Sequence, residues 1–213
     1  DSDLLLKKEM TFKTIVFIRH GESDWNNIFN KGLNAKALIN LIKAMFDEIM
    51  MFTSVNSTFI DSPLNMEGIE QALELSRFIE AESEKVTKAD KSYRVILALA
   101  GKLPDGSSTI VSSSLRRAIA TTTLGLWPRL SRTGDKIHIL SSLQEISRNI
   151  DTYALAPAGG IADLPFKRIA PHCGGDKFDA NKVYELSQNF GNKKRDFYGI
   201  KRLRAFGEWA MSQ

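Results

Sequence analysis

The stretch TIVFIRHGESDWNN, residues 14–27, decides both the predicted fold and the predicted site. Residues 14–18 are a short apolar run rich in β-branched side chains, which is typical of a buried strand. The run ends abruptly in Arg19, His20 and Gly21. A strand that ends in this way brings a cation and an imidazole to one edge of a sheet, so we expect other segments to complete a site there.

The rest of the chain alternates between helix-like and strand-like patterns. Strands are predicted at 109–111 and 136–140, and helices at 65–84, 115–124 and 202–211. The serines at 112–114 are expected to cap the helix that follows them. Residues 151–181, rich in Gly, Pro and Ala, are expected to form a long loop. The alternation favours an α/β fold, a three-layer sandwich whose mostly parallel central sheet has helices on both faces.

The chain is predicted to be one domain, residues 1–213, with an insertion at about 30–58. Within the insertion, apolar residues recur at helical spacing over residues 35–52 and predict one amphipathic helix. Two interpretations of this helix remain open. It forms a cap beside the site, or it packs in the core and has no role in substrate choice.

Two arginine-bearing segments are expected to meet at one crevice. In parallel sheets, ligands bind at the carboxyl ends of the strands, where residues 14–18 lead to Arg19 and residues 109–111 lead to Arg117. Two guanidiniums repel each other unless an anion lies between them, and several guanidinium forks suit phosphate best. Gly21 lets the backbone approach such a ligand closely.

The composition of the chain favours some classes of binding partner and excludes others. The formal net charge is +4, which suits an anionic substrate but is too small and too dispersed for a nucleic-acid-binding protein. The one basic cluster, residues 193–195, is expected to be a solvated surface. No apolar stretch is long enough for a membrane span, and the single cysteine excludes an intrachain disulfide. A cytoplasmic location is expected.

At this point the sequence resembles the histidine phosphatase superfamily, also called phosphoglycerate mutase-like. RHGESDWN at 19–26 resembles its signature RHGES-x-WN. DSPLNMEGIEQA at 61–72 resembles its D-x-PL-x-x-x-G-x-x-QA segment, SSLRRA at 113–118 its S-x-L-x-RA segment, and LQE at 143–145 its L-x-E segment. The segments occur in the family's order, so the resemblance covers about residues 14–151.

The resemblance implies a role for each matching residue. His20 would be the nucleophile that forms a phosphohistidine, and Glu145 would be the general acid and later the base. Arg19 and Arg117 would clamp the phosphoryl oxygens, with Asn26 as a further donor. Ser23 and Gly21 are further candidates for contact with phosphate. The resemblance implies no metal and no other cofactor, because the arginines supply the positive charge.

Plainer roles stay open for several of these residues. Glu145 can be a solvated carboxylate, and Ser23 or Asn26 can cap a helix. Trp25 can be a core residue instead of a substrate platform. Arg116 is adjacent to Arg117 and is expected to face solvent or a carboxylate, away from the site.

The family's second histidine has no match. It would follow the helix at 202–211, which Arg202, Phe206 and Trp209 mark, but the sequence ends at Gln213. We expect that the strand bearing it lies beyond the given residues. Two other histidines are weak substitutes: His138 lies within a predicted strand, as a core or sheet-face residue, and His172 lies in the long loop.

Three functions compete. The first is a phosphomonoester phosphatase acting on a phosphorylated small molecule or phosphoprotein. The second is a phosphoglycerate mutase, which the sequence favours less because the Gly-Trp segment of true mutases has no match after residue 29. The third is a non-catalytic phospho-ligand-binding or scaffold protein. A cysteine phosphatase is excluded, because the motif starting at His172 has Asp179 where it needs arginine.

Overall fold

The structure is a computed structural model of the chain. It describes residues 13–29, 57, 59–104, 106–147, 149–193 and 199–213. The insertion predicted at 30–58 therefore lies outside the described residues except for Ser57, and so does the amphipathic helix predicted at 35–52.

The described part alternates helices and strands along the chain. Its α-helices are α1 (Asp24–Phe29), α2 (Met66–Lys85), α3 (Tyr93–Leu99), α4 (Arg116–Gly125), α5 (Trp127–Thr133), α6 (Phe166–Ile169), α7 (Ala180–Val183) and α8 (Gly199–Ser212). Its strands are β1 (Ile110–Ser113), β2 (Ile137–Leu140) and β3 (Tyr184–Glu185). Single turns of 3-10 helix lie at Ser141–Leu143, Ile150–Thr152, Ala170–His172 and Gly175–Lys177. No helix in these ranges is both long and apolar enough to cross a bilayer.

The strands of the described part form one parallel sheet in the order β1-β2-β3. Ile137 of β2 lies opposite Ile110 of β1 on one side and opposite Tyr184 of β3 on the other. The strands predicted at 109–111 and 136–140 are therefore confirmed, whereas the two-residue β3 has no strand pattern in the sequence. The fold is a mixed α/β fold with parallel strands, as the alternation predicts.

The buried strand predicted at residues 14–18 is wrong for the described structure. These residues belong to no strand, and no backbone hydrogen bond in the described part joins them to another segment. Their apolar side chains are 41–78% exposed, with Phe17 the most exposed. The apolar run gives a local preference for extended backbone, but a strand also needs a neighbour that pairs with it and covers it.

Helix α2 confirms the helix predicted at 65–84, and α8 confirms the one predicted at 202–211. The side chain of Asn65 caps α2 by accepting a hydrogen bond from the backbone N–H of Gly68 at 2.8 Å. Ile69, Ala72 and Ile79 form the buried face of the helix, which packs against α4. The capping residue and the apolar spacing together explain why the helix begins and lies where it does.

The start of helix α4 differs from the prediction. The helix begins at Arg116, and the residue before it, Leu115, makes no side-chain cap. The backbone N–H of Arg116 instead donates to Oδ1 of Asp61 at 2.8 Å, from a segment 55 residues earlier in the chain. The expected cap by the serines at 112–114 is wrong, because a distant carboxylate takes the place of a local hydroxyl.

Asp61 joins three parts of the chain. Besides capping α4, it accepts a hydrogen bond from the backbone N–H of Leu155 at its other carboxylate oxygen, at 2.9 Å. Asp61 is fully buried and has a positive φ of 52°. Leu155 lies in the segment predicted as a long loop, 151–181, which contains short helical turns between irregular stretches. One buried carboxylate therefore ties this loop to the start of α4.

One apolar core lies between the sheet and helices α2 and α4. Ile137 and Ile139 of β2 are fully buried there, together with Ile119 of α4. Since side chains alternate along a strand, His138 faces the opposite side of the sheet, where its ring lies 6.0 Å from that of Trp209 on α8. The predicted sheet-face position of His138 is confirmed.

Candidate active site

The first two sequence motifs bind each other through their backbones. The N–H of Asp24 donates to the carbonyl of Pro63 and the N–H of Asn65 donates to the carbonyl of Glu22, both at 3.1 Å. Ser23 and Leu64 form an isolated antiparallel bridge between the same segments. The chain around His20 is therefore held by the start of α2, not by a strand of the sheet.

A close contact between two glycines brings these motifs together. A Cβ atom on Gly21 would lie 2.5 Å from the carbonyl oxygen of Gly68, and one on Gly68 would lie closer still to the carbonyl oxygen of Glu22. Real Cβ atoms do not approach backbone this closely, so both positions need glycine. The structure assigns Gly21 a packing role, and its contact with a ligand stays a prediction.

Helix α4 holds the backbone beside His20 through Thr121. The N–H of Gly21 donates to the Thr121 hydroxyl oxygen at 3.0 Å, and that hydroxyl donates to the carbonyl of Arg117 at 2.8 Å. Thr121 lies one helical turn after Arg117, so it faces the same side of α4. Thr121 is not among the site residues predicted from the sequence, although its four-residue spacing from Arg117 on a predicted helix is a signal for it.

The hydrogen-bond partners of His20 define its tautomer. Nδ1 lies 2.7 Å from the carbonyl oxygen of Gly21, and Nε2 accepts a hydrogen bond from Nε of Arg117 at 3.1 Å. A carbonyl only accepts and a guanidinium only donates, so Nδ1 carries the proton and Nε2 keeps its lone pair. The imidazole is therefore neutral, with its nucleophilic nitrogen directed at a buried cation.

The surroundings of His20 also favour the neutral imidazole. Burial lowers the pKa of His20 below its ordinary value, and the positive charges of Arg117 and Arg19 lower it further. The hydrogen bond to Gly21 and the charge of Glu145 act in the opposite direction and do not overcome these effects. A neutral imidazole at neutral pH is the form that can attack an electrophile.

Arg117 connects the parts of the site. Its guanidinium is 1% exposed, and it donates to His20 through Nε, to the backbone carbonyl of Asp151 at 2.7 Å, and to the carboxylate of Glu145 at 2.8 Å. The structure thus brings together His20, Arg117 and Glu145, which the sequence placed in three separate motifs. The Glu145 side chain is 46% exposed, so it lies at the open side of this group.

Asp151 is a second carboxylate at Arg117, and it is not among the site residues predicted from the sequence. Its Oδ2 lies 3.6 Å from the guanidinium, and the side chain is 8% exposed. Within the described residues, its Oδ1 is buried without a hydrogen-bond partner. Burial raises the pKa of Asp151, the charge of Glu145 raises it further, and Arg117 opposes both. No motif marks this residue, so only the tertiary contact with Arg117 reveals it.

The remaining predicted site residues lie around this group in different roles. Arg19 is exposed, and its charge acts on the His20 ring. The Ser23 hydroxyl accepts a hydrogen bond from the backbone N–H of Asn26 at 3.3 Å, which is the helix-capping role left open for Ser23. The ring of Trp25 packs edge-to-face on Phe59, with centroids 6.2 Å apart. A phosphate contact of Asn26 stays a prediction.

Arg116 behaves differently from its neighbour Arg117. It is buried, and its guanidinium donates to the backbone carbonyls of Ser57, Ile60 and Asp61. The sequence predicts that Arg116 faces solvent or a carboxylate. Solvent is wrong, because the residue is buried, whereas a carboxylate does lie near it, since the charge of Arg116 acts on buried Asp61. Successive positions on a helix point in different directions, so one arginine builds the scaffold and the other enters the site.

Two other features of the described part, an open cleft and the buried Cys173, do not offer a nucleophile beside an anion-binding group. An open cleft of about 490 Å³ lies beside the amino ends of β2 and β3, and its lining includes Trp127, Lys136 and Lys182 but no histidine, cysteine or arginine. Burial raises the pKa of Cys173 to about 12, which keeps the thiol protonated. No group of three or more His, Cys, Asp or Glu side chains in the described residues is arranged to hold a metal ion.

The chain matches no protein-family model, no curated protein and no solved structure in the three comparisons made with it.

Proposed function

We propose that the protein is a phosphomonoester hydrolase of the histidine phosphatase type, with His20 as its nucleophile. One observation carries the proposal: the buried guanidinium of Arg117 donates both to the lone pair of a neutral His20 and to the carboxylate of Glu145. Arg117, a cation that can bind an anion, thus contacts both a nucleophile, His20, and a group that can transfer a proton, Glu145. The resemblance of the motifs to the histidine phosphatase superfamily supports the same assignment.

In the proposed reaction the phosphoryl group moves twice. The lone pair of His20 Nε2 attacks phosphorus and the bond from phosphorus to the ester oxygen breaks. Glu145, which takes up a proton from solvent when it leaves Arg117, gives that proton to the departing oxygen. Water then attacks the phosphohistidine, Glu145 takes its proton, and the bond from nitrogen to phosphorus breaks. Arg117, Arg19 and Asn26 hold the charged phosphoryl oxygens throughout.

Substrate binding requires two changes at Arg117. Its Nε–H now donates to the Nε2 lone pair of His20, and that hydrogen bond must break before the lone pair can attack phosphorus. Glu145 now occupies an N–H of the guanidinium that a phosphoryl oxygen needs. We infer that the phosphoryl group displaces the carboxylate, because a dianionic phosphate offers the guanidinium more charge and more acceptors than one carboxylate does. The displaced Glu145 moves toward the leaving oxygen, while Asp151 stays beside the guanidinium.

The wider architecture belongs to the same proposal. We propose a three-layer sandwich with a cap at 30–58, in a cytoplasmic protein that acts on a phosphorylated small molecule or a phosphoprotein. The opposite orientations of Ile137 and His138 support the sandwich, since the first packs toward α4 and the second toward α8. The cap would choose among substrates, because the residues around Arg117 recognise only the phosphoryl group.

Rapid-quench labelling tests the proposal. The whole protein is mixed with a radiolabelled aryl phosphate, and we expect an acid-labile, alkali-stable adduct on His20 that appears before steady turnover. His20→Ala should lose both the adduct and the turnover. His138→Ala is the matched control, because that imidazole lies on the sheet face against Trp209 and should keep both.

Two outcomes separate the proposal from its alternatives. Turnover that continues unchanged in His20→Ala contradicts the proposed nucleophile. Labelling that requires a bisphosphoglycerate primer, with interconversion of the two phosphoglycerates, identifies a mutase instead of a phosphatase.

A further inference from the structure

Lys193 is buried, although the sequence predicts a solvated basic cluster at 193–195. It is 9% exposed, and its ammonium donates three hydrogen bonds: to the carbonyl of Glu145 at 2.8 Å, to the carbonyl of Ser147 at 2.7 Å and to the Thr152 hydroxyl at 2.7 Å. An ammonium has three N–H donors, so each is used. The surface prediction is wrong for Lys193, and the other two residues of the cluster lie outside the described residues.

The three acceptors of Lys193 lie on one segment, residues 145–152, which carries both carboxylates of the site. The backbone N–H of Lys193 also donates to the side chain of Gln144 at 2.8 Å, and that side chain donates to Ser114 just before α4. Lys193 therefore fastens this segment through its side chain and its main chain, on the side nearest the helix that bears Arg117.

Among the described residues, charged and aromatic groups from several elements lie near the Lys193 ammonium. Glu145 and Asp151 are the anions, Arg117 of α4 and Arg202 of α8 are the cations, and the ring of Tyr153 lies 4.8 Å from Nζ. Burial lowers the pKa of Lys193 to about 8, and Arg202 and Arg117 contribute to this. Above that pH the neutral amine has two N–H donors for three acceptors, so one of its three hydrogen bonds to residues 145–152 is lost.

We propose that Lys193 is a positioning residue: it holds the carbonyls of Glu145 and Ser147 and the hydroxyl of Thr152, so that the Glu145 carboxylate reaches Arg117 and the leaving oxygen. Its contacts are with the backbone of Glu145 and not with the reacting atoms, so it acts through Glu145. The inference rests on the proposed phosphatase function, and one of its two tests needs no turnover.

The first test uses the leaving group. Lys193→Met keeps the apolar stem and removes the donors. We expect kcat for phenyl phosphate, whose leaving oxygen needs a proton, to fall by about 10- to 100-fold, which is typical of a catalytic group that is out of place. For p-nitrophenyl phosphate, whose leaving group needs little protonation, the loss should be several-fold smaller. Glu145→Gln should give the same pattern.

Lys182→Met is the matched control, because that lysine side chain is 84% exposed on α7. It should leave both rates unchanged. An equal loss for both substrates in Lys193→Met, accompanied by a lower melting temperature, would mean that Lys193 supports folding only and would overturn the proposal.

The second test measures the His20 pKa by NMR of ring-labelled histidine, and it works without turnover. Glu145 raises the pKa of His20. If Lys193 positions Glu145, Lys193→Met should lower the His20 pKa. Removal of a nearby cation alone would raise it, so an unchanged or raised pKa contradicts the inference. A lowered pKa in a protein that forms no adduct on His20 would keep the positioning role and reject the phosphatase.

Discussion

Two apolar runs in this chain look alike in sequence and differ in structure. Residues 14–18 lead to Arg19 and His20, and residues 109–111 lead through three serines to Arg117. The last two residues of the second run begin β1, which pairs with β2. The first run, which we call the exposed run, is unpaired in the described part. Both still bring their polar ends to one place, because His20 accepts a hydrogen bond from Arg117.

The difference teaches that convergence at this site does not depend on strand pairing. The end of the exposed run is held by the glycine contact with Gly68 and by the hydroxyl of Thr121. These contacts come from the start of helix α2 and from the middle of helix α4, not from a neighbouring strand. The four predictions below test this contrast between the exposed run and the paired sheet.

The largest expected effect is on stability in the paired sheet. Ile139 of β2 is fully buried, so Ile139→Ala should lower the free energy of unfolding by about 2–5 kcal/mol. Phe17→Ala in the exposed run removes a larger side chain. It should nevertheless change the free energy of unfolding by less than about 0.5 kcal/mol, because Phe17 is 78% exposed. Urea denaturation measures both. A Phe17→Ala cost as large as that of Ile139→Ala would show that the exposed run is buried.

The two arginines that follow the runs should differ in activity. Arg117 is buried and its donors are directed at three different acceptors, so Arg117→Lys should reduce kcat/KM by about 10²- to 10³-fold. Arg19 is exposed, so Arg19→Lys keeps the charge and should cost much less. Steady-state kinetics on an aryl phosphate measures kcat/KM for both variants. Equal losses of kcat/KM would contradict the proposal that Arg117 is the main phosphate-binding residue.

The next largest effect is expected from a substitution at the contact between Gly21 and Gly68. Gly68→Ala places a Cβ against the backbone of Glu22 and should destabilise the protein by about 1–3 kcal/mol, with a loss of activity as the two motifs separate. Gly207→Ala is the matched control, because a Cβ there meets no atom within 4 Å. In the middle of helix α8 that change should stabilise by about 0.5–1 kcal/mol. Thermal unfolding that does not distinguish the two variants would contradict the contact.

The smallest expected effect is a shift in pH dependence. Protonation removes the lone pair of His20, so activity should fall as the pH decreases through its lowered pKa, at a pH below the ordinary 6.5. Burial is the main cause of this lowering and Arg117 is a smaller one, so Arg117→Gln should move the acid limb only part of the way back. The pH profile of kcat/KM gives both midpoints. An acid limb above 6.5 in the unchanged protein would show that His20 is stabilised in its charged form.

Local patterns predicted the three longest helices of the described part, α2, α4 and α8, and the strands β1 and β2. They did not predict the shorter elements α1, α3, α5, α6, α7 and β3. The helix from Asn65 follows from a capping side chain and a 3.6-residue apolar period, and β2 follows from a β-branched apolar run. The cap, the apolar period and the β-branched run are short-range patterns, so each can be recognised from a few neighbouring residues. The exposed run has the same kind of pattern as β2 and is not a strand here, since pairing depends on residues far away in the chain.

The candidate site was predictable only in part, for a related reason. Three residues within quoted motifs, His20, Arg117 and Glu145, do meet in the structure. Asp151 and Lys193 belong to no motif, and their importance comes from which groups they touch after folding. Lys193 even lies in a charged cluster that by composition predicts a solvated surface.

Residue patterns along the chain are enough to predict the alternation of helices and strands, the chemical types near His20 and the helix that carries Arg117. Only the tertiary structure decided that Asp61 caps α4, that His20 is held neutral between Gly21 and Arg117, and that Lys193 fastens the segment bearing Glu145. The physical reason is range. Propensity, capping and apolar period act over a few residues, whereas burial and the choice of hydrogen-bond partner depend on segments that lie 50 to 100 residues apart in the chain, as Asp61 and Arg116 or His20 and Arg117 do.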